Sequence, residues 1–251
     1  MFEELKPHLV ELRKRLFISV ACVFVLFFAC FGFNEYITKI LTLPLERVLP
    51  QGANQVNFIE LTEPFFNAVK VSFFTAFLLS MPVIFWQFWK FVAPGLYDNE
   101  KRLVVPFVVC ASIMFLLGAS FCYFIAVPMA FDFFVVFGQA HNLNPNITIA
   151  PYIDFLIKLM LAFGLGFELP IITFFLAKLG LVNDAMLKRH FRVAILVIFI
   201  FAAFMTPPDV LSQLLMAGPL CLLYGISIFV AKKVNPASKE DDENLEQDTN
   251  E

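Results

Sequence analysis

The chain has 251 residues, of which 60% are hydrophobic and 16% are charged, and its formal net charge is −3. An ordinary soluble domain carries about 25% charged and roughly 45–50% apolar residues, so this composition excludes a water-soluble globular fold for most of the chain. The mean hydropathy of +0.79 and the 34 phenylalanines indicate that most of the protein is embedded in a lipid bilayer.

Six hydrophobic segments are predicted to cross the membrane as helices, because about 20 helical residues span a hydrocarbon core ~30 Å thick. The fifth segment is shorter than this, which predicts local thinning of the membrane path. A polar segment over residues 34–67 is predicted to contain an interfacial amphipathic turn or helix around residues 58–67 and not a further span. In chain order, the six predicted spans cover residues 16–33, 68–92, 103–131, 152–176, 193–205 and 210–231.

The distribution of Lys and Arg predicts that both termini are cytoplasmic, because short cytoplasmic loops carry an excess of these residues. Fourteen of the 18 Lys and Arg residues fall in the N-terminal segment, in the loops after the second and fourth spans, and in the C-terminal tail. The loops on the opposite side carry two, Lys39 and Arg47. The bias therefore predicts six spans with both ends on the cytoplasmic side.

The C-terminal segment differs in composition from the rest of the chain. Residues 232–251 combine seven acidic residues with three lysines and contain no aromatic residue. Such a segment has little to bury, which predicts a disordered cytoplasmic tail. The chain is therefore divided into a transmembrane domain, residues 1–231, and this tail.

No arrangement typical of catalysis or metal binding is found in the sequence. The five cysteines lie in apolar runs without a CxxC spacing, and no phosphate-binding Walker A motif is present. We therefore expect no enzymatic activity, no cofactor, no metal site and no nucleic-acid partner. The three histidines fall in three separate polar segments: His8, His141 and His190.

Two glutamates lie directly before predicted spans, Glu11 before the first and Glu100 before the third. With the predicted orientation, both lie near the cytoplasmic surface. The residues alone leave a structural alternative open for each. Glu11 could pair with Arg15 one helical turn later, and Glu100 could occupy the first turn of a helix, where the helix dipole favours an acid.

Two further acids lie at unusual positions. Glu168 falls inside an apolar span beside Pro170, and an acid at a helix centre costs about 2.5–3.5 kcal/mol on insertion, which favours a functional interpretation. It also leaves an alternative function open, a small secondary transporter in which Glu168 relays protons or ions. Asp209 follows two prolines, and we expect it in the first turn of the sixth span with Thr206 as the N-cap.

Four motifs occur in one order along residues 3–231, and with them the chain resembles the TatC family, the large subunit of the twin-arginine protein translocase. Two features depart from the family pattern: Lys101 stands where arginine is common, and the acidic tail is not a family feature. The motifs are His8-Leu9-x-Glu11-Leu12-Arg13-x-Arg15-Leu16, Pro94-Gly95-Leu96-Tyr97…Glu100-x-Arg102, Phe167-Glu168-x-Pro170 and Thr206-Pro207-Pro208-Asp209.

The resemblance implies an all-α, glove-like concave bundle of six transmembrane helices with two short C-terminal spans, in the bacterial cytoplasmic membrane. It implies a signal-peptide receptor and translocase core, part of an oligomeric complex that exports folded proteins using the proton-motive force. The implied partners are TatA- and TatB-type single-span subunits, membrane lipid and twin-arginine signal peptides. Among the residues, it implies that Glu11 and Glu100 contact the twin arginines, and that four further positions are functionally sensitive: Arg13, Pro44, Glu168 and Asp209.

Overall fold

The computed structural model describes residues 2–48, 59–92, 104–141 and 148–236, with side chains described from His8 onward. These ranges are almost entirely helical, and a π-helical turn, Cys122–Ala126, joins α4 to α5. The α-helices within them are α1 (Phe2–Gly32), α2 (Asn34–Val48), α3 (Glu63–Val92), α4 (Val104–Phe121), α5 (Val127–Ala140), α6 (Ile149–Phe167), α7 (Leu169–Lys178), α8 (Asp184–Arg189), α9 (Phe191–Met205) and α10 (Val210–Val234).

The long apolar helices confirm the predicted class, an all-α integral membrane protein. Within the described ranges, five helical segments are long and apolar enough to cross a membrane. The shorter apolar helix α9 has 15 residues, about 22 Å at 1.5 Å per residue, which is less than the ~30 Å hydrocarbon thickness. The six-span count therefore stays a prediction. The five segments are His8–Gly32, Glu63–Val92, Val104–Ala140, Ile149–Lys178 and Val210–Val234.

The polar segment after the first span differs from its prediction. It begins with the 15-residue helix α2, whose buried residues Leu41, Pro44 and Leu45 recur at helical spacing. Residues 59–62 form only a turn, and Phe65 and Phe66 belong to the start of α3. Position 58 lies outside the described residues. α2 was not predicted, because a proline inside a polar segment usually interrupts a helix.

The third and sixth helical segments extend beyond their predicted ends. The third continues to Ala140 by way of the π-helical turn, which accommodates an extra residue in the helical ladder. α10 continues to Val234, past the predicted domain boundary at residue 231, and the Asn235 side chain donates to the Val182 carbonyl at 3.0 Å. Residues 237–251 lie outside the described residues, so the disorder of the tail stays a prediction.

The described residues form two compact units. The first comprises the described residues within 2–116 and 127–157, and in it α1 packs along α3 while α2 packs on α3 and α5. The Tyr152 hydroxyl donates to the Leu41 carbonyl at 2.6 Å, which fastens α6 to α2. A bond between residues 111 apart in sequence holds the two helices in register at this end of the unit.

A salt bridge that the sequence analysis did not predict joins α3 to α6. Lys70 Nζ lies 2.7 and 2.9 Å from the two carboxylate oxygens of Asp154. Both side chains are nearly half exposed, so we expect Lys70→Ala or Asp154→Ala to lower the free energy of unfolding by only ~0.2–1 kcal/mol. Thermal unfolding in detergent measures this, and the charge-exchanged double variant, Lys70→Asp with Asp154→Lys, should recover part of the loss. Strict additivity of the two alanine substitutions would contradict the pairing.

Of the described residues, the second unit comprises 117–126 and 158–236, and in it α10 packs against α7, α8 and α9. The Tyr224 hydroxyl donates to the Leu187 carbonyl at 2.9 Å, and the Gln213 amide donates to the Phe199 carbonyl at 3.0 Å. Gly118 allows the closest backbone approach, because a Cβ there would lie 2.5 Å from the carbonyl oxygen of Phe163. Close approach through a small residue is a common device for packing helices in membranes.

Candidate functional site

Glu11 lies near the N-terminal end of α1, in a small polar cluster with Arg15 and Gln87. Arg15 Nη2 donates to Glu11 Oε1 at 3.0 Å, and Arg15 Nη1 donates to Gln87 Oε1 at 3.4 Å. The i,i+4 pairing that the spacing allows is therefore present. The Glu11 side chain keeps 31% of its surface exposed, and a carboxylate accepts several hydrogen bonds at once. Glu11 is thus oriented by Arg15 and still accessible to a second cation.

Two other residues of the N-terminal motif, His8 and Arg13, lie near Glu11 on α1. The His8 ring stacks on Phe91, with centroids 4.2 Å apart and an interplanar angle of 27°, which ties the start of α1 to the end of α3. Arg13 is exposed, and no described residue forms an ion pair or hydrogen bond with it. Arg13 therefore presents a positive charge two residues from Glu11 that no described acid neutralises.

Glu100 lies outside the described residues, so its distance from Glu11 is not given by the structure. The helices that flank it are both described, and Trp89 near the end of α3 contacts Phe107 in α4 with ring centroids 4.3 Å apart. The connection that carries Glu100 therefore begins and ends at helices that are in contact. Because the end of α3 also contacts α1 through His8, this connection starts close to the Glu11 cluster.

Glu168 lies at the break between α6 and α7. Pro170 has no N–H to donate to the carbonyl of Gly166, so the helical ladder is interrupted there. Glu168 itself is only 4% exposed, and its Oε1 has no hydrogen-bond partner among the described residues. A buried carboxyl group with an unpartnered oxygen is suited to accept a hydrogen bond from an incoming polar group.

Asp209 is the N-cap of α10, which corrects the predicted cap. Its Oδ1 accepts from the Ser212 amide at 2.7 Å. Thr206 instead ends α9, and its hydroxyl donates back to the Ala202 carbonyl at 2.9 Å. The prediction was wrong because the two prolines between them keep the chain extended, which moves the helix start from Thr206 to Asp209.

The capping bond gives a prediction for Asp209. Asp209→Ala should lower the free energy of unfolding by about 1 kcal/mol, whereas Asp209→Asn should leave it nearly unchanged, because Asn caps helices as well as Asp. Unfolding in detergent measures both. Equal stability of the wild type and Asp209→Ala would contradict the capping role. A melting temperature of Asp209→Asn as low as that of Asp209→Ala would show that the negative charge, and not the capping bond alone, contributes to stability.

Pro44 is buried inside α2, three residues after Leu41. The Leu41 carbonyl is the one that accepts from Tyr152. Proline lacks the N–H that would donate to the carbonyl four residues earlier, which is the Ile40 carbonyl and not that of Leu41. The functional sensitivity of Pro44 therefore stays a prediction.

Comparison with known proteins decides the family. The family model described as Sec-independent protein translocase protein (TatC) matches residues 7–219. The chain belongs to the TatC family. A relative of that name from Campylobacter jejuni is 66% identical over 96% of this chain and 98% of its own length. One from Helicobacter pylori is 47% identical over 100% of this chain and 98% of its own length. One from Aquifex aeolicus is 39% identical over 94% of this chain and 98% of its own length.

The same conclusion follows from a solved structure. The crystal structure of a protein titled Twin Arginine Translocase Receptor- TatC matches with a TM-score of 0.82 and 38% identity, covering 90% of this chain and 99% of that one. Membership of the TatC family makes this chain a protein-transport component of the twin-arginine translocase. The alternative of a small secondary transporter finds no support in these relatives.

Two residues of this TatC family member were missed by the sequence analysis. Gln87, only 9% exposed, holds Arg15, and Asn67 is 2% exposed with both amide atoms unpartnered among the described residues. The available signal was an uncharged amide inside an apolar run, which charge-based searching overlooks. Among the described residues, no three His, Cys, Asp or Glu side chains are grouped closely enough to hold a metal ion.

Proposed function

We propose that this chain is the signal-peptide receptor and core subunit of a twin-arginine translocase, and that Glu11 and Glu100 bind the paired arginines. The observation that carries the proposal is the Glu11 cluster. It presents a carboxylate that is oriented by Arg15 but still partly exposed, beside the end of α3 that leads to Glu100.

The chemistry of arginine recognition fits two carboxylates on separate segments. Each guanidinium offers a planar fork of donors that matches one carboxylate in bidentate geometry, which a lysine ammonium does not reproduce. Arg15 already donates to one oxygen of Glu11. An incoming arginine therefore either binds the Glu11 carboxylate together with Arg15 or replaces Arg15 there. The Arg15–Gln87 contact gives the displaced guanidinium an alternative acceptor.

The surface around Glu11 also suits the apolar part of a signal peptide. Leu9, Leu12 and Leu16 recur at three- and four-residue spacing on α1 and are 60%, 43% and 61% exposed. An apolar peptide helix contacts such a stripe through residues at matching spacing. We propose that this stripe receives the apolar segment once the arginines are bound.

The proposal also includes the orientation of the chain in the membrane and the subunits that assemble with it. The Lys and Arg bias supports cytoplasmic termini and six spans, in the bacterial cytoplasmic membrane. That orientation puts Glu11 on the side where precursors are made. We propose that the chain acts in an oligomeric complex with TatA- and TatB-type single-span subunits and exports folded cargo by using the proton-motive force. It performs no enzymatic reaction in this role.

Site-specific photocrosslinking tests the receptor role. A photoreactive residue in place of Leu12 or Tyr97 should crosslink to a precursor with a twin-arginine signal peptide, and much less to its twin-lysine form. The matched control is the same probe at Tyr36, which is exposed beyond the opposite end of α1. Equal crosslinking of both precursors, or equal crosslinking from Tyr36, would overturn the proposal.

A further inference from the structure

A cavity of about 580 Å³ that is open to its surroundings lies in the first unit, apart from the Glu11 cluster, and most of its lining residues have polar side chains. It is bounded by α2 and by the first turns of α3 and α6. Its lining includes Glu35, Lys39, Glu46 and Asn67. The cavity follows the C-terminal end of α1, whereas Glu11 lies near the N-terminal end, so this site is separate from the one proposed for arginine recognition.

Asn67 is the first sign that the cavity binds a ligand. The residue is 2% exposed, and neither its amide nitrogen nor its amide oxygen has a hydrogen-bond partner among the described residues. Buried polar side-chain atoms in folded proteins are nearly always hydrogen-bonded. An amide with both atoms unpartnered at the wall of a cavity is suited to a ligand that offers both an acceptor and a donor.

The charges of α2 are the second sign. Glu35, Lys39, Thr42 and Glu46 follow one another at four-, three- and four-residue spacing, which places them on one face of the helix. Neither Glu35 nor Lys39 forms an ion pair within the part of the chain that the structure describes. This face of α2 therefore carries charges of both signs. Glu35, Lys39 and Glu46 together have a net charge of −1.

The spacing of the two acids argues against a single metal ion. Glu35 and Glu46 are about 16 Å apart along the helix axis at 1.5 Å per residue. The oxygen ligands of one Ca²⁺ lie within about 2.6 Å of the ion, so these two carboxylates do not share one. A ligand that carries a positive and a negative group a few ångströms apart fits Glu35 and Lys39 better, because these residues are one helical turn apart.

We propose that this cavity binds the headgroup of a zwitterionic aminophospholipid, with its ammonium at Glu35 and the Asn67 amide oxygen, and its phosphate at Lys39 and the Asn67 amide nitrogen. The cavity opens where the long apolar helices α3 and α6 begin, which is the level of lipid headgroups. Phe65 and Phe66, beside it on α3, are 60% and 57% exposed and suit contact with acyl chains. A phospholipid can therefore place its headgroup in the cavity and its acyl chains against the exposed phenylalanines.

Lipid binding by the full-length purified chain tests the proposal. Native mass spectrometry in a mild detergent compares phosphatidylethanolamine, phosphatidylcholine, phosphatidylglycerol and free phosphoethanolamine. Phosphatidylethanolamine should bind about tenfold more tightly than phosphatidylcholine, because the choline nitrogen has no N–H to donate to a carboxylate. Tightest binding of phosphatidylglycerol, or no discrimination among lipids as expected if water alone fills the cavity, would overturn the proposal. Free phosphoethanolamine binding as tightly as the lipid would also overturn it, because the ligand would then be a soluble aminophosphate.

Two variants connect that preference to the cavity. Glu35→Gln should abolish the preference for phosphatidylethanolamine, and Asn67→Leu should weaken binding of both phosphatidylethanolamine and phosphatidylcholine. Asp132→Asn, which changes an exposed acid on α5 that does not line the cavity, should retain both the affinity and the preference. Without lipid, Asn67→Leu should melt no lower than the wild type, since it removes an unpartnered buried amide. If Asn67→Leu fails to fold, the lipid preference of Glu35→Gln tests the proposal, because Glu35 lies on the exposed side of α2. An unchanged preference in Glu35→Gln would overturn the proposal.

Discussion

Replacing Glu11 and Glu100 together with glutamine is expected to weaken binding of a twin-arginine signal peptide by at least about 100-fold. In the proposed binding mode each carboxylate accepts charge-assisted hydrogen bonds from one guanidinium, and a hydrogen bond to a charged group is worth about 1.5–3 kcal/mol. Two such losses amount to about 3 kcal/mol or more, which is a factor of at least about 100 in the dissociation constant. Fluorescence anisotropy of a labelled peptide with the purified chain in detergent measures the change.

Glutamine is the suitable replacement because it keeps the shape of the side chain and removes only the charge. Each single variant should lose about tenfold or more, and Glu60→Gln, an exposed acid in the turn before α3, should bind like the wild type. The elution profile on size exclusion and the melting temperature verify that the double variant is folded. A correctly folded double variant with wild-type affinity would show that these acids do not bind the arginines.

The second large effect is expected at Gly118 and concerns stability. A Cβ at this position would lie 2.5 Å from the Phe163 carbonyl oxygen and 3.0 Å from the Gly164 Cα, and backbone atoms cannot move aside as a flexible side chain does. Gly118→Leu should therefore separate the end of α4 from α6 and lower the free energy of unfolding by roughly 1–3 kcal/mol or more, the usual cost of overpacking. Thermal unfolding in detergent and the yield of folded protein measure this effect.

Gly225 provides the matched control, since it lies within α10 of the same unit and no atom lies within 4 Å of a Cβ built there. Gly225→Ala should be neutral or stabilising by up to about 1 kcal/mol, because alanine favours the helix over glycine. If Gly118→Leu melted like the wild type, the close approach of these two helices would not contribute to stability.

The sequence predicted best those features that depend on a single helix, namely the helical spans and contacts between residues one turn apart. Apolar runs of the right length predicted the helical spans, since lipid leaves few alternatives for a backbone that must satisfy its own hydrogen bonds. The i,i+4 spacing of Glu11 and Arg15 was enough to predict their contact, which the structure has at 3.0 Å. In both cases the interacting groups are close in sequence, so helical geometry alone determines their distance.

Contacts between distant segments were not predictable in the same way. Lys70 and Asp154 are 84 residues apart, and nothing in either local sequence selects the partner. The start of α10 was displaced to Asp209 by two prolines, an effect that the composition of the turn allowed but did not require. Asn67 was overlooked because its significance depends on the absence of hydrogen-bond partners, which only the packed structure reveals.

Gln87 lies beside the proposed recognition site, although none of the motifs includes it. It lies on α3 and contacts Arg15 on α1, so it links the orientation of the Glu11 carboxylate to the packing of these two helices. In the proposed binding mode Gln87 acts through Arg15 and does not contact the peptide. Gln87→Leu should therefore weaken twin-arginine binding less than Glu11→Gln does.

The most direct test of the central claim is a double-mutant cycle between protein and peptide. The affinities of wild type and Glu11→Gln are measured for a twin-arginine peptide and for two peptides in which one or the other arginine is replaced by glutamine, and the same set is measured for Glu100→Gln. We predict that each glutamate couples to one arginine by about 1.5 kcal/mol or more and only weakly to the other. Coupling near zero in all four combinations would contradict the assignment of these two acids as the twin-arginine binding site.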